Sequence, residues 1–261
     1  MTTSSSDKKK IIKYVRYSVS GKVSYGILDG ASVHELRGDI FKSAELTGKT
    51  LHLSEVKLLA PCEPSKVIAI GLNYKSHLAD RVAPPEPRVF LKLPTSIIGP
   101  EESIVIPAGG NNVHFEAELV VVIGKTAKSV SKADAPNYIF GVTAGNDVSE
   151  RDWQKGDGQW FRAKASDTFG PLGPAIVQGL NHNDLLVQSR LSGVVKQSQR
   201  TSDLMFDIET LVSYVSQFVT LFPGDIIYTG TPGRTEAMKP GDVVEIEVEG
   251  IGILRNRVAK A

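Results

Sequence analysis

The sequence has few cysteines, no long apolar run and no excess of charge, and each of these features is typical of a particular class of proteins. Its 261 residues include a single cysteine, Cys62, so no intrachain disulfide can form and a reducing compartment is expected. No apolar run approaches the roughly 20 residues of a membrane span. Basic and acidic residues nearly balance, at 30 and 29, which leaves no charge excess typical of nucleic-acid binding. We therefore expect a globular protein with no membrane or nucleic-acid partner.

The amino terminus also lacks a recognisable targeting signal. The segment MTTSSSDKKK is mostly polar and has no apolar core of the kind that a secretion signal requires. We predict that residues 1–10 are a disordered tail. Its serines and lysines are shared with mitochondrial presequences, but Asp7 and the absence of arginine favour the cytoplasm over the mitochondrial matrix.

Short strand patterns fill the next fifty residues. IIKYVRYSV, KVSYGIL and SVHEL are separated by Ser20-Gly21 and Asp29-Gly30, which are residue pairs typical of tight hairpin turns. They predict a small N-terminal β domain over residues 11–60. A connector with two prolines follows, and β-branched, glycine-rich segments then predict a larger domain over residues 61–261.

The larger domain is predicted to be mostly β, with a few helices, in the α+β class. RVAPPEPRV contains three prolines and is incompatible with regular structure. NYIFGVTAGNDVS predicts a strand ending near Asp147, and Ser149 with Asp152 resembles a capping box that opens a short helix. The clearest helix follows Asp207 and is predicted to stop at Pro223-Gly224. DIIYTGT predicts a buried strand and VVEIEVEG a half-exposed one. The apolar face of that helix comprises Ile208, Leu211, Val212, Val215, Phe218 and Val219.

Glu116 and Glu118, in HFEAELVVVIGK, are the first candidates for a functional site. Residues two apart in a strand point to the same face, so these carboxylates would project together. They would repel each other unless a cation lay between them, and hard divalent cations take oxygen ligands. Two solvated glutamates on an exposed strand edge explain the same pattern. A third carboxylate, Asp147, lies where a strand gives way to a helix and is either a cleft residue or a turn residue.

Several stretches, in this order, resemble the fumarylacetoacetate hydrolase family: GLNYKSH, HFEAEL, GVTAGNDVSERDWQ, RAKASDTFGPLGP and LFPGDIIYTGTP. The resemblance covers the chain from about Val67 to the C-terminus, and the small N-terminal β segment also matches common members. It implies a mixed β-sandwich or roll as the catalytic domain over 61–261. It further implies that Glu116, Glu118 and Asp147 hold Mg²⁺ or Mn²⁺, and that Lys164 has an active-site role.

His77, in GLNYKSHLAD, matches the histidine that hydrolytic members use as a general base, a role suited to its ordinary pKa of ~6.5. In many of those members a glutamate three residues later orients the imidazole. The residue here is Asp80, one methylene shorter, and the sequence leaves open whether it reaches. The proline-rich loop 81–88 is either a lid or a static loop at a dimer contact. His114, beside the glutamates, is a candidate hydrogen-bond partner of one of them.

The resemblance also implies a set of substrate contacts. Arg151 could pair with a substrate carboxylate bidentately. Thr231 matches a position that binds a carboxylate or carbonyl oxygen. After TGTP the chain departs from the pattern of many members, so a different far end of the pocket, and with it a different substrate, stays open. The full set is Asn73, Tyr74, Arg151, Gln154 and Thr231.

Family substrates are mostly small 2-oxo or diketo acids, which a metal chelates through a carboxylate and a keto oxygen. C–C cleavage, decarboxylation and proton transfer beside that ketone share an enolate, which the metal and Lys164 would stabilise. Our first hypothesis is a metal-dependent hydrolase of C–C bonds in diketo acids of the acylpyruvate type. Oxaloacetate tautomerisation or decarboxylation is the alternative, and a binding module without turnover is the third. We also expect a homodimer, because a partner commonly covers long β edges and apolar surface.

Overall fold

The computed structural model of the protein describes residues 10–261, so the predicted tail lies outside the described residues except for Lys10. Strands account for 46% of the structure and helices for 15%, which confirms the mostly β fold. No helix within residues 10–261 is long and apolar enough to cross a membrane.

The strands divide between an N-terminal set and a set that follows the first proline-rich connector. The first strands are β1 (Ile12–Val19), β2 (Lys22–Asp29), β3 (Ser32–Asp39), β4 (Ser43–His52) and β5 (Lys57–Leu58). They are followed by β6 (Val67–Gly71), β7 (Arg88–Lys92), β8 (Ile97–Ile98), β9 (Ser103–Ile106), β10 (Val113–His114), β11 (Ala117–Ile123) and β12 (Ile139–Asn146). The last are β13 (Ser149–Glu150), β14 (Gly170–Gln178), β15 (Leu186–Leu191), β16 (Val194–Arg200), β17 (Ile226–Tyr228), β18 (Val243–Val248) and β19 (Gly252–Lys260). The helices are α1 (Arg151–Gly156), α2 (Phe161–Ala165) and α3 (Ile208–Phe218), besides short 3-10 turns.

The N-terminal hairpins form largely as predicted. Ser20 and Gly21 both have positive φ, 49° and 82°, as the tight turn between β1 and β2 requires. The second turn falls on Gly30 and Ala31, one residue later than predicted, because Asp29 pairs with Ser32 and so belongs to the strands.

These hairpins extend the main sheet instead of forming a separate one. β1 pairs antiparallel with β14, and the sheet runs in the order β4-β3-β2-β1-β14-β12-β11-β17-β6-β7. A five-stranded sheet, β16-β15-β18-β19-β9, packs against its centre, and apolar residues of both sheets share one core. β18 alternates buried and half-buried residues, which confirms the half-exposed strand predicted from VVEIEVEG. The division into domains at residue 60 stays a prediction.

Two helix predictions were wrong in detail. The cap of α1 is Glu150, which accepts the N–H of Trp153 at 2.6 Å, whereas Ser149 lies in β13 and donates to the carbonyl of Asp147. The buried Glu150 takes the cap because it lies one residue closer to the first turn. α3 begins after its predicted cap, Asp207, but ends at Phe218, before the Pro223-Gly224 stop. Its apolar face ends with Val215, since Phe218 is 68% exposed.

The proline-rich segment lacks regular structure from residue 81 to residue 87, and β7 begins at Arg88, directly after its last proline. Within residues 10–261, β7 is an edge strand of the large sheet and pairs only with β6. Its alternate side chains therefore face either the cavity described below or the outside.

Candidate active site

Three carboxylates meet where β11 begins and β12 ends. Glu116 directly precedes β11, Glu118 lies in it, and Asp147 follows β12, whose Asn146 pairs with Ala117. One oxygen from each carboxylate lies within 4.8 Å of the others, and all three side chains are buried. The structure thus brings together the three predicted metal ligands, and we refer to them as the carboxylate triad.

Lys164 lies within this cluster and not on the surface. Its Nζ donates to Glu116 Oε2 and to Asp147 Oδ2, both at 2.6 Å, and the residue is 2% exposed. The short helix α2 places it there. The structure therefore excludes the alternative of a surface lysine and makes an ammonium group part of the site.

A second buried lysine, Lys92 of β7, was missed. Its Nζ donates to Asp147 Oδ1 at 2.7 Å and to the main-chain carbonyl of Lys164. Lys92 lies two residues after Phe90, so in a strand the two side chains point to the same face, and the structure shows Phe90 lining the cavity. Nothing in the sequence placed that edge beside the triad.

The carboxylates of the triad differ in electrostatic state. Burial alone would raise the pKa of Glu116, but the charges of Arg151 and Lys164 outweigh it and hold that pKa well below its usual range. Burial, with the charges of Asp147 and Glu116, raises the pKa of Glu118 well above its usual range. Glu116 therefore favours its ionised form, whereas the neighbouring Glu118 favours its protonated form.

The residues fit a divalent cation. Among the described residues, Glu118 has no cationic hydrogen-bond partner and accepts only the N–H of Gly230, at 2.7 Å. A buried carboxylate beside two others is stable as an anion only if a positive charge approaches it. A hard divalent ion with open positions for water or substrate suits three oxygen donors of this kind. The triad therefore has the oxygen ligands for a divalent metal and a negative charge, on Glu118, that such a metal would neutralise.

A cavity of about 370 Å³ opens in front of the triad. His77, Arg151, Gln154, Lys164 and Thr231 line it together with the triad, as the sequence analysis expected. Five cationic side chains contribute to the wall, namely Arg81, Arg88, Arg151, Lys155 and Lys164. The cavity therefore suits an anion more than a neutral molecule.

Two predicted substrate contacts need correction. Asn73 does not line the cavity, because its amide nitrogen donates to the carbonyls of Thr229 and Phe206, and its oxygen accepts the N–H of Phe206. Its polar atoms are thus committed to joining two backbone segments. Tyr74 is 1% exposed and also does not line the cavity. The sequence placed both on the loop of His77 but gave no sign that they turn inward.

His77 faces the triad without help from Asp80. It ends a 3-10 turn, Lys75–His77, and its Nδ1 lies 2.6 Å from the carbonyl oxygen of Gly233. A carbonyl only accepts, so Nδ1 carries the proton and the Nε2 lone pair, 3.9 Å from Glu116 Oε1, faces the triad. Burial lowers the pKa of His77 and outweighs the Glu116 charge, which favours this neutral form. Asp80 is exposed and makes no hydrogen bond to His77, so the pair that the sequence left open does not form.

Arg151 is turned toward the triad. Its guanidinium donates to Glu116 Oε1 at 2.5 Å, to Thr235 Oγ1 at 2.8 Å and to Gln154 Oε1 at 2.8 Å. His114 was a candidate partner of one of the glutamates, but its ring nitrogens contact Thr235 and Asn112 instead. Thr235 belongs to the segment that departs from the family pattern, so this departure is part of the cavity wall.

Thr231 is held from two sides. Its hydroxyl donates to the carbonyl of Ala117 at 2.9 Å and accepts from the Gln197 amide at 2.8 Å. The hydroxyl is thus occupied, although the residue lines the cavity.

The outer wall of the cavity was not anticipated. The Arg88 guanidinium lies over the Trp160 ring at 5.2 Å, and Phe90 meets the same ring edge-on at 5.1 Å. Arg81 and Arg88 lie at the two ends of the proline-rich loop, and this pair of arginines in the sequence was the feature that could have indicated a cationic outer wall. Whether the loop acts as a lid stays a prediction.

The chain is similar to known proteins over most of its length. The family model described as fumarylacetoacetate (FAA) hydrolase C-terminal matches residues 66–259, and an N-terminal model, Rv2993c-like, matches residues 12–61. The mitochondrial oxaloacetate tautomerase Fahd2a of Rattus norvegicus is 42% identical over 78% of this chain and 70% of its own.

Two solved structures are similar over nearly their whole length. The 2-hydroxyhepta-2,4-diene-1,7-dioate isomerase of Mycobacterium marinum has 41% identity and a TM-score of 0.90, covering 95% of this chain and 98% of its own. The maleylpyruvate hydrolase of Sphingobium sp. SYK-6, in complex with manganese(II) and pyruvate, has 28% identity and a TM-score of 0.80 over 95% and 99% of the two chains.

Proposed function

Because this chain belongs to the fumarylacetoacetate hydrolase family, we propose that it is a metal-dependent enzyme that interconverts the enol and keto forms of oxaloacetate or a close 2-oxo dicarboxylate. The isomerisation moves one proton between the enol oxygen and the adjacent carbon, and it consumes no water. A Mg²⁺ or Mn²⁺ ion held by the carboxylate triad would polarise the 2-oxo group as a Lewis acid. The remaining chemistry falls to side chains of the cavity wall.

The environment of His77 carries this proposal. An imidazole with its proton on Nδ1 and a free lone pair on Nε2 can accept a proton from the substrate and return it. In many hydrolytic members an acidic residue three positions later orients this base for the activation of water, and Asp80 makes no hydrogen bond to His77 here. With Asp80 exposed, proton transfer to and from the substrate is the better-supported role for His77.

The charge of the cavity supports a dianionic substrate. Five cationic side chains face three carboxylates, and a divalent ion would raise the excess from two positive charges to four. Lys164, between Glu116 and Asp147, is placed to stabilise negative charge that develops on the substrate oxygen. Arg81, Arg88 and Lys155 lie farther out and would attract the second carboxylate.

C–C bond hydrolysis of a longer diketo acid, such as an acylpyruvate, is the second candidate. The cavity volume of about 370 Å³ lies in the range of pockets that hold drug-sized ligands, so it has room for more than a four-carbon acid. A similar solved structure is that of a maleylpyruvate hydrolase, and its name also favours a hydrolytic activity.

A paired assay separates the two activities. Decay of the ultraviolet absorbance of enol-oxaloacetate, above the spontaneous rate, would measure tautomerisation, and loss of acetylpyruvate absorbance would measure hydrolysis, each with Mg²⁺, Mn²⁺ or chelator. We expect metal-dependent enol decay. Acetylpyruvate cleavage without enol decay would support hydrolysis instead, and no turnover of either compound would favour a binding module.

We also propose that the protein is a homodimer in the cytoplasm. Val89 and Leu91 of the edge strand β7, with Leu93 directly after it, are exposed apolar side chains at alternate positions, and Leu91 is 62% exposed. Such a row beside a free strand edge is commonly covered by a partner. Light scattering at micromolar concentration should give twice the 28.2 kDa monomer mass. A mass equal to that of the monomer would contradict the dimer.

A further inference from the structure

Two consecutive residues of the 3-10 turn, Ser76 and His77, bind the same glycine, Gly233. His77 Nδ1 donates to the carbonyl of Gly233 at 2.6 Å, and Ser76 Oγ accepts the N–H of Gly233 at 2.9 Å. Gly233 has a φ of +60°, a conformation that turns its N–H and its carbonyl toward the turn and that glycine adopts without steric cost. The orientation of Gly233 therefore fixes where the imidazole acceptor lies.

The Ser76 hydroxyl is held in turn by strand β16. It donates to Gln199 Oε1 at 2.6 Å, and Gln199 Nε2 donates to Asp203 Oδ2 at 3.0 Å. An ionised carboxylate only accepts, so Asp203 requires the Gln199 amide nitrogen and turns the amide oxygen toward Ser76. Ser76 then donates its single hydroxyl proton to Gln199, and a lone pair of its oxygen accepts the N–H of Gly233.

We propose that Ser76 and Gln199 are positioning residues, which hold Gly233 so that its carbonyl keeps His77 protonated on Nδ1 and leaves Nε2 free toward the substrate. The proposal rests on the proposed function, in which His77 carries the proton. One hydrogen bond links each step from Asp203 through Gln199, Ser76 and Gly233 to His77, so the chain favours a single tautomer of the imidazole. The Gly233 carbonyl thereby supplies the orientation that Asp80, exposed and not hydrogen-bonded to the ring, does not.

The same strand also holds the segment before Gly233. Gln197, two residues before Gln199, donates to Thr231 Oγ1 at 2.8 Å and to the carbonyl of Pro232 at 2.5 Å. Residues two apart in a strand share a face, so Gln197 and Gln199 act on the loop together. Ser198, between them, is exposed and bonds only to Gln188 among the described residues, which makes it a matched control.

The test compares tautomerisation kinetics in Ser76→Ala, Gln199→Ala and Ser76→Thr with those of Ser198→Ala. We expect Ser76→Ala and Gln199→Ala to lower kcat about tenfold with KM unchanged, the scale of one lost orienting hydrogen bond. Ser76→Thr keeps the hydroxyl and should restore the rate, and Ser198→Ala should match the wild type. A ¹⁵N spectrum of the His77 ring should show the Nδ1–H tautomer in the wild type and a mixture in Ser76→Ala.

His77→Ala separates failure of this proposal from failure of the proposed function. If His77→Ala keeps the wild-type rate, the histidine role itself is wrong. If His77→Ala loses activity while Ser76→Ala keeps both its rate and its ring spectrum, the positioning role is overturned. A Ser76→Ala loss that persists undiminished in a His77→Ala background also overturns it, because the serine would then act elsewhere.

Discussion

The inner and outer ends of the cavity hold their charges in different ways. At the inner end the carboxylate triad, Lys92 and Lys164 are buried, and most of them pair directly. At the outer end Arg81, Arg88 and Lys155 are exposed and face no carboxylate of the triad at hydrogen-bond distance. Buried, paired charges hold a fixed geometry, whereas exposed cationic side chains attract an anionic substrate and help to select it. We infer that the inner end supports the chemistry and the outer end the choice of substrate.

The largest expected effect comes from removing the metal ligand that lacks a cation. Glu118→Gln should abolish Mn²⁺ binding and lower turnover by more than the roughly 100-fold typical of groups around a metal ligand. Calorimetric titration with Mn²⁺ and the enol-decay assay measure the two effects. Glu45→Gln, in the exposed strand β4, is the matched control and should bind Mn²⁺ normally. Unchanged affinity in Glu118→Gln would contradict the metal site.

Removal of the proposed proton carrier should come next. His77→Ala should lower kcat by about 10²- to 10⁴-fold, the usual range for general acid–base catalysis, while leaving Mn²⁺ affinity unchanged. His34→Ala, on an N-terminal hairpin, controls for loss of a histidine. A His77→Ala variant that also lost Mn²⁺ would show that His77 belongs with the metal site and not with proton transfer.

The outer end should affect substrate binding and not turnover. Arg88→Ala should raise KM for oxaloacetate about tenfold with kcat nearly unchanged, because an exposed cation contributes modestly to binding an anion. Arg37→Ala, exposed in β3 and weakly paired, is the control. If Arg88→Ala lowered kcat and left KM unchanged, the division between the two ends would be wrong.

The smallest expected effect is that of Asp80. Asp80→Asn should leave kcat and KM for enol-oxaloacetate within twofold, since the exposed carboxylate makes no hydrogen bond to His77. Steady-state kinetics of this variant beside His77→Ala provide the check. A loss comparable to that of His77→Ala would show that the pair forms during turnover.

The inner end could be predicted from the sequence because its residues lie in local patterns. The alternation within HFEAEL places Glu116 and Glu118 on one face, and the strand that ends at Asn146 brings Asp147 beside them. The family motifs added Lys164 and His77. Strand alternation and turn chemistry operate over a few residues, so a sequence displays them directly.

The remaining contacts depend on how distant segments meet. Lys92 reaches Asp147 because the edge strand β7 lies beside α2, and Gly233 takes the place of Asp80 because its loop contacts the turn that carries His77. Asn73, predicted to touch substrate, instead joins two backbone segments more than a hundred residues away. Such placements follow from the packing of the whole sheet, which no short motif encodes.

The most direct test of the account is calorimetric binding of oxalate, a planar mimic of the enolate of a 2-oxo acid, with and without Mn²⁺. If the carboxylate triad holds a metal that receives the substrate, oxalate should bind the wild type in the presence of Mn²⁺, lose that binding with chelator, and fail to bind Glu118→Gln under either condition. Equal oxalate affinity with Mn²⁺ and with chelator would contradict a metal-centred site.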